Sequence, residues 1–285
     1  MGEKRSRSLV LLHIAVMLFG LSGVLGKWVT VPAYAVAGGR SLCSCILLFC
    51  VLKLTKVPAK LQSRRDYGLA FAGGVVLAIH WTAFFLSIKQ ASVAIGTLTF
   101  SAFPLFVTFL EPVIFKEKLT RRELLTALVL LIGVAVTVPE LSLGNRTTEG
   151  ILWGLLSALT YAILSLINRD LSAKYSGVQV CFFEQSTVAL VLMPVVLLSG
   201  MTWTGANLLG VAAIGVVCTA TAFSMFVTAQ KHVNARTAGV ISGMETVYGI
   251  LFAALLLGQW PTMRELLGGA IILGAAMYSS LKGQE

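Results

Sequence analysis

Ten apolar runs divide this chain, and they restrict it to a fold that crosses a lipid bilayer. Most of the runs approach or exceed the roughly 20 apolar residues that a helix needs to span the hydrocarbon core. Only helices and closed barrels satisfy their backbone hydrogen bonds in lipid, and the alternation typical of a β-barrel is absent from the sequence. We therefore predict an all-α integral membrane protein with ten transmembrane helices. The predicted spans are 9–26, 31–54, 67–88, 91–115, 124–139, 151–167, 178–198, 208–228, 237–257 and 266–281.

The composition excludes a soluble domain. Hydrophobic residues make up 57% of the 285 residues and charged residues only 12%, which is about half the charged share of soluble proteins. The net charge of +10 comes from cations between the apolar runs, so it indicates membrane topology and not nucleic-acid binding. The five cysteines lie inside apolar runs without the spacing of a zinc site. We expect no disulfide, no metal and no cofactor.

The two halves of the chain repeat one another. Segment 116–125 aligns with segment 258–267, each between a long and a short apolar run, and Thr-Ala-Phe occurs at both 82–84 and 221–223. We predict one five-helix repeat over 1–140 and a second over 149–285. Because five is odd, the second repeat enters the membrane upside down. Inverted repeats are typical of secondary transporters, whose solute site lies at the midplane between the repeats.

The distribution of Lys and Arg predicts the orientation. Seventeen of these residues fall on one side of the predicted spans and four on the other, with Arg40 inside the second span. Cytoplasmic loops carry the excess of cations. We therefore expect both termini in the cytoplasm and a multi-pass protein of the cell membrane.

Short motifs along most of the chain carry a family resemblance. They are Leu18-Phe19-Gly20 followed by Lys27, Arg40 in the second span, Ser92-Val93-Ala94 followed by Pro104, and Glu117-Lys118-Leu119-Thr120. With these motifs the chain resembles the EamA-type ten-helix family of the drug/metabolite transporter superfamily. Gln259 and Thr246 depart from the family's pattern, in which a glutamate and a proline are usual. The resemblance implies a permease or exporter of small organic metabolites, including amino acids, with a cavity lined by spans 1, 3, 4, 6, 8 and 9.

Charged groups within the spans are candidates for function, because burying a charge at the bilayer centre costs about 2.5–3.5 kcal/mol on insertion scales. Arg40 and Glu184 occupy related places in the two halves. We interpret them as structural charges, either paired or anchored separately. Glu111 lies near a span end, where a pair with Lys116 or Lys118 is the simpler interpretation and a gate the alternative.

Glu245 lies near the middle of the ninth span and is our candidate for substrate binding and proton coupling. Gly239 and Gly243 weaken the helix around it, and Pro104 removes a hydrogen bond from the related fourth span. We predict that these three residues act as hinges. The alternative is that the glycines only permit close helix packing.

His80 and Trp81 lie mid-span in the third helix, where an imidazole beside an aromatic ring suits an organic ligand. The alternative is a histidine bonded to a neighbouring helix and aromatic rings that face lipid or core. The remaining predicted cavity residues are Phe84, Phe100, Phe103, Tyr161, Phe223, Ser242 and Tyr248.

Three classes of function fit an all-helical membrane chain: a transporter, an embedded enzyme and a channel. The sequence lacks the motifs of an enzyme, and a channel rarely needs two inverted halves, so we expect a transporter and no enzymatic activity. The expected partners are a small organic solute, the bilayer and protons as coupling ion, with the protein acting as a monomer. Three carboxylates against one arginine favour a zwitterionic or amine-bearing solute.

Overall fold

The computed structural model describes residues 2–115, 121–137, 144–230 and 235–282, and within these ranges the chain is helical with no β-strand. The elements are α1 (Gly2–Trp28), α2 (Ala33–Leu54), α3 (Arg64–Gln90), α4 (Val93–Phe100), α5 (Phe103–Phe115), α6 (Arg121–Thr137), α7 (Arg146–Ser172), α8 (Gly177–Leu198), α9 (Gly205–Gly215), a π segment (Val216–Thr221), α10 (Ala222–Gln230), α11 (Ala235–Leu257) and α12 (Met263–Lys282).

Seven helical stretches in the described part of the chain are long and apolar enough to cross a membrane by length and composition. Two of them join several elements, Val93–Ile114 across α4 and α5 and Gly205–Ala229 across α9 to α10. Shorter apolar helices occur at Leu124–Thr137 and Ile241–Leu257. Together they give a multi-pass membrane protein, as the sequence predicted.

The predicted fourth span is not one regular helix. It is interrupted after Phe100, and α5 begins again at Phe103. The amide of Ala102 donates to the carbonyl of Thr99 at 3.2 Å, a bond that tightens the turn. Pro104 has no N–H to continue the helical ladder but is tolerated in the first turn of α5. The proline therefore follows a break in this span and does not bend a continuous helix.

The predicted eighth span contains a π segment at Val216–Thr221. The side chain of Thr219 donates to the carbonyl of Ile214, five residues earlier, at 2.7 Å. Such π segments frequently occur at functional sites. This segment contacts both α1 and α2.

Helix pairing builds the core. Helix α2 packs against α8, α3 against α7, α6 against α12, and α1 against both α11 and the α9–α10 stretch. Gly20 permits one close approach, because a Cβ at this position would lie 2.8 Å from the carbonyl oxygen of Glu245. The backbones of α1 and α11 are therefore in direct contact beside the candidate carboxylate.

Polar contacts join the helices at two opposite ends of α3. At the Tyr175 end, where α3 begins, Asp66 accepts hydrogen bonds from Lys174 at 2.9 Å and from Tyr175 at 2.8 Å. The hydrogen bond to Asp66 raises the pKa of Lys174, and burial raises the pKa of Tyr175. The Tyr175 hydroxyl also accepts from the amide of Gln62 at 2.7 Å.

At the Lys27 end, where α1 and α3 finish, two lysines cap the opposite helix. Lys27 donates to the carbonyls of Ile88, Lys89 and Ala91 at 2.6, 3.1 and 3.0 Å, and Lys89 donates to the carbonyl of Val29. Cations favour the carbonyl ends of helices. Here they tie α1 to α3.

Candidate solute cavity

A buried cavity of about 210 Å³ lies among helices from both halves of the chain. It is lined by residues of α1, α2, α3, α4, α7, α8, the π segment, α10 and α11. They are Phe19, Ser22, Arg40, Leu77, His80, Trp81, Phe84, Phe100, Tyr161, Leu164, Asn168, Cys181, Glu184, Gln185, Cys218, Thr219, Phe223 and Glu245. Second-span and seventh-span residues, which the family resemblance left out, thus belong to the wall.

The structure brings seven of the ten predicted cavity residues together on this wall. They are His80, Trp81, Phe84, Phe100, Tyr161, Phe223 and Glu245. Arg40 and Glu184, which we had interpreted as structural charges, line the same cavity. The charged residues Arg40 of α2, Glu184 of α8 and Glu245 of α11 therefore line one cavity and are not separate structural supports.

Three predicted cavity residues lie outside the cavity lining. Phe103 stacks on Phe100 with ring centroids 5.8 Å apart and so supports the wall from behind. Tyr248 forms a hydrogen bond with His13 at 3.0 Å. Ser242 lies three residues before Glu245 on α11 and is not among the lining residues.

The predicted hinges occupy different settings. Pro104 is the second residue of α5, just after the break in the fourth span. A Cβ at Gly243 would meet only the Met277 side chain, at 3.9 Å, within the described surroundings. Gly239 lies outside the residues whose side chains the structure describes. Helix α11 runs unbroken past Gly243.

Arg40 is held by hydroxyl groups and an aromatic ring. Its guanidinium donates to Thr219 at 3.1 and 2.7 Å and to Ser22 at 3.2 Å, and its Cζ lies 3.9 Å from the centre of the Trp81 ring. The residue is only 5% exposed. In the described part of the chain, no carboxylate forms a salt bridge with it. A charge in this setting is only partly compensated.

His80 joins the cavity wall to α7. Its Nδ1 lies 2.8 Å from the carbonyl oxygen of Ser157 and 2.9 Å from the Ser157 hydroxyl. Because a carbonyl only accepts, Nδ1 carries the proton and Nε2 is the nitrogen that remains for a solute. The ring packs against Phe100 and Tyr161 with centroids 5.3 and 5.1 Å away.

The carboxylates on the wall differ in their surroundings. Glu184 is 5% exposed, and its Oε1 has no hydrogen-bond partner within the described ranges. The adjacent Gln185, 2% exposed, likewise has an unpartnered Oε1. Glu245 is partly exposed on the wall that also contains Arg40. Buried acceptors without donors are uncommon, because each retains its desolvation cost.

Glu111 is separate from this cavity and forms an ion pair with Arg169, on α7. Its predicted partners Lys116 and Lys118 lie outside the described residues. This contact joins α5 to α7 near the Tyr175 end, where Arg65 also pairs with Asp170 at 3.3 Å.

Sequence reasoning missed most uncharged polar residues of the wall, because it selected ionisable and aromatic residues and, apart from Ser242, no uncharged polar side chain. The missed residues are Ser22, Asn168, Cys181, Gln185, Cys218 and Thr219. An amide was the available signal for Gln185, inside the seventh predicted span, and for Asn168, one residue after the sixth, because amides are costly in lipid. Ser22 and Thr219 gave no comparable signal, because hydroxyls can bond to their own helix.

Comparison with known proteins places this architecture among transporters. The chain is 21% identical over 288 residues to the "Uncharacterized transporter YxxF" of Bacillus subtilis, covering 99% of this chain and 92% of that protein. It is 24% identical over 253 residues to the "Pseudopaline exporter CntI" of Pseudomonas aeruginosa, covering 88% and 87%. It is also 24% identical over 207 residues to the "S-adenosylmethionine uptake transporter" of Rickettsia prowazekii, covering 72% and 69%.

A solved crystal structure shares the fold. It superposes with a TM-score of 0.67 at 19% identity and covers 98% of this chain and 97% of its own. The model of the EamA-like transporter family matches residues 6–138 and again residues 148–281. With both matches spanning nearly the whole sequence, the chain belongs to the EamA-like transporter family.

Proposed function

We propose that this protein is a secondary transporter that moves a small organic metabolite, with amino acids and their derivatives the leading class, by alternating access. The observation that carries the proposal is the cavity itself. Charged, amide and aromatic side chains from both halves of the chain line this cavity, which lies between apolar helices. Interior charges of this kind mark solute and ion pathways in membrane proteins.

We further propose ten transmembrane helices in two inverted repeats, over 1–140 and 149–285. The helix pairing supports this arrangement. In a two-fold arrangement the second span should pair with the seventh and the fifth with the tenth, and α2 packs on α8 and α6 on α12. The same symmetry relates a pair of the third and sixth spans to a pair of the eighth and first spans. Both pairs occur, since α3 packs on α7 and α1 packs on the α9–α10 stretch.

Alternating access needs closures at two ends of the cavity. The Tyr175 end supplies contacts between the two halves through Asp66 with Lys174 and Tyr175. The opposite end supplies others, including Asn207 with Thr30 at 3.0 Å. We place the Tyr175 end and both termini in the cytoplasm of a cell membrane, because Lys and Arg are concentrated on that side of the predicted spans.

Glu245 is our proposed proton-coupling group, and the seven lining residues predicted from the sequence are our proposed solute contacts. Pro104, Gly239 and Gly243 are the proposed hinges. The names of the relatives support a small organic solute, since one is named as a pseudopaline exporter and another as an S-adenosylmethionine uptake transporter. Those two names point in opposite directions of transport, so the family alone does not set the direction.

Flux into proteoliposomes tests the proposal. A panel of radiolabelled amino acids and related metabolites is offered with and without an inward proton gradient. We expect saturable flux of one solute class that the gradient accelerates, and we expect Glu245→Gln to remove the acceleration. Glu149→Gln, an exposed carboxylate in the first turn of α7, is the matched control and should transport as the wild type does.

The alternatives predict different readouts. Covalent conversion of a solute without net movement would indicate an embedded enzyme, and conductance that does not saturate would indicate a channel. The inversion has its own test, in which single cysteines at Lys60 and Gly144 are labelled by an impermeant maleimide in a cysteine-free background. The repeats predict labelling from opposite faces of the membrane, and labelling from one face would contradict them.

A further inference from the structure

In the described part of the chain, no carboxylate lies within salt-bridge distance of the Arg40 guanidinium, and Glu245, on the same wall, interacts with it only over a longer distance. Its observed acceptors are two neutral hydroxyls, those of Thr219 and Ser22. Hydroxyls stabilise a buried cation less than a carboxylate does, because charge-assisted pairs between two ions are the stronger bonds. The Trp81 ring, 3.9 Å from Cζ, adds a cation–π contact but no counter-charge. The guanidinium is therefore fixed in place by neutral groups, without a directly bonded counter-charge among the described residues.

Arg40 also retains hydrogen-bonding capacity. A guanidinium has five N–H donors, and its contacts in the described part of the chain use three of them. The residue lines the cavity. Two remaining N–H groups can accommodate a planar carboxylate, which guanidinium groups bind by paired hydrogen bonds.

The wall contributed by α8 has the opposite chemistry. Oε1 of Glu184 and Oε1 of Gln185 are buried acceptors without donors in the described structure. A Cβ added at Gly73 would lie 3.0 Å from Oε1 of Glu184, so the small residue leaves room for that carboxylate. These oxygens need a donor, and a protonated amine has three.

The size and the remaining surface limit the solute further. The cavity of about 210 Å³ lies below the roughly 300–1,000 Å³ of common ligand pockets, which favours a small solute. Rings of His80, Phe100 and Tyr161 form an aromatic cluster with centroids 5.1 to 5.3 Å apart. This part of the wall suits the apolar body of a small molecule.

From these three surfaces we infer that Arg40 binds the carboxylate of the solute and that Glu184 with Gln185 binds a protonated amine. The inference rests on the proposed function and names its substrate class: a small zwitterion with an apolar side group. It assigns Arg40 and Glu184 to recognition, whereas the sequence alone had indicated structural support.

Sets of three matched compounds test this assignment on the wild-type protein. Each set contains the amino acid, its amide, which lacks the carboxylate, and its deaminated acid, which lacks the amine; phenylalanine, methionine and leucine supply the three sets. Binding to the purified protein is measured by thermal shift and calorimetry. We expect at least one amino acid to bind at least ten-fold more tightly than both of its analogues. Equal binding of amino acid and amide, or no binding in any set, would overturn the inference.

Variants then locate the two contacts. In Arg40→Gln the advantage of the amino acid over its amide should disappear, while in Glu184→Gln the advantage over the deaminated acid should disappear. If Arg40→Gln folds and keeps the preference for the carboxylate, the assignment is wrong. If that variant does not fold, the role of Arg40 is decided by two other measurements. These are the binding preference of Thr219→Val and the wild-type preference for the amino acid over its amide.

The readouts separate this inference from the transport proposal. Saturable, gradient-driven flux of solutes that lack a carboxylate would leave the transporter intact and remove the role of Arg40. Selective binding of the zwitterion without any flux would support the recognition site and contradict the transporter.

Discussion

The guanidinium of Arg40 donates two hydrogen bonds to one oxygen, the hydroxyl of Thr219, at 3.1 and 2.7 Å. The proton of that hydroxyl is used elsewhere, in the bond to the carbonyl of Ile214. Both lone pairs of Thr219 are therefore available to the arginine. The π segment, which brings Thr219 within reach of a carbonyl five residues back, connects an irregular turn of the backbone to the charge beside the cavity.

We expect Thr219→Val to destabilise the protein, because the change keeps the shape of the side chain and removes the acceptor. Hydrogen bonds to charged groups contribute about 1.5–3 kcal/mol, and a loss of this size should appear in denaturant unfolding in detergent. Thr219→Ser should restore most of it. Thr228→Val is the matched control, since Thr228 is exposed and bonds only to its own helix. Equal stability of the valine and serine variants would contradict the role of this hydroxyl.

Gly20→Ala should disturb both stability and transport. Its Cβ would lie 2.8 Å from the carbonyl oxygen of Glu245 and from the amide nitrogen of Gly249, and backbone atoms cannot rotate away. Overpacking typically costs about 1–3 kcal/mol. Gly68→Ala is the control, since no atom of the residues that the structure describes lies within 4 Å of its Cβ, and it should be neutral or stabilising by up to about 1 kcal/mol. Unfolding and flux are measured on both variants. If Gly20→Ala and Gly68→Ala behave alike, the close packing assigned to Gly20 is wrong.

Gly243→Ala separates a hinge from a packing role. Among the described residues the added methyl would meet only Met277, at 3.9 Å, which is an ordinary contact. We therefore expect an unchanged or slightly higher unfolding temperature together with a turnover reduced several-fold, because alanine stiffens the helix. Gly274→Ala, also without a steric conflict, should leave turnover as it is. Wild-type turnover in Gly243→Ala would remove this residue from the hinge.

The Tyr175 end predicts a loss of stability at alkaline pH. The pKa of Lys174 is raised by its bond to Asp66 and that of Tyr175 by burial. Both groups hold their protons more tightly in the folded state, so their contribution is complete below pH 10, the ordinary pKa of tyrosine. It is lost as the pH rises through the folded-state pKa values.

Unfolding temperatures between pH 7 and pH 12 measure this effect. Lys174→Met and Tyr175→Phe should each flatten the alkaline part of the profile, and Lys60→Met, an exposed lysine, should follow the wild type. A wild-type profile that stays flat to pH 12 would show that these contacts do not contribute.

The apolar runs were sufficient to predict an all-helical membrane protein, because backbone groups in lipid leave few alternatives. They could not predict how a span is interrupted. Pro104 marked the fourth span as weak, but the break lies before it, after Phe100, and it separates Phe100 on the wall from Phe103 behind it. Two aromatic residues that look equivalent in the sequence thus take different places.

The same limit applies to the site. His80 and Glu245 were found because charged or ionisable groups are conspicuous in an apolar run. Arg40 was equally conspicuous, yet its partners belong to α1 and to the π segment, and no local pattern announces a contact between residues 179 positions apart. Tyr248 lies almost one turn after Glu245, but its hydroxyl is bonded to His13.

The two lysines at the ends of α1 and α3 connect these helices at one end of the molecule. Lys27 and Lys89 each donate to carbonyl groups at the end of the other helix, so separating the helices there would remove these hydrogen bonds from two partly buried ammonium groups. If transport moves α1, as the proposed alternating access requires, we expect α3 to move with it as one unit.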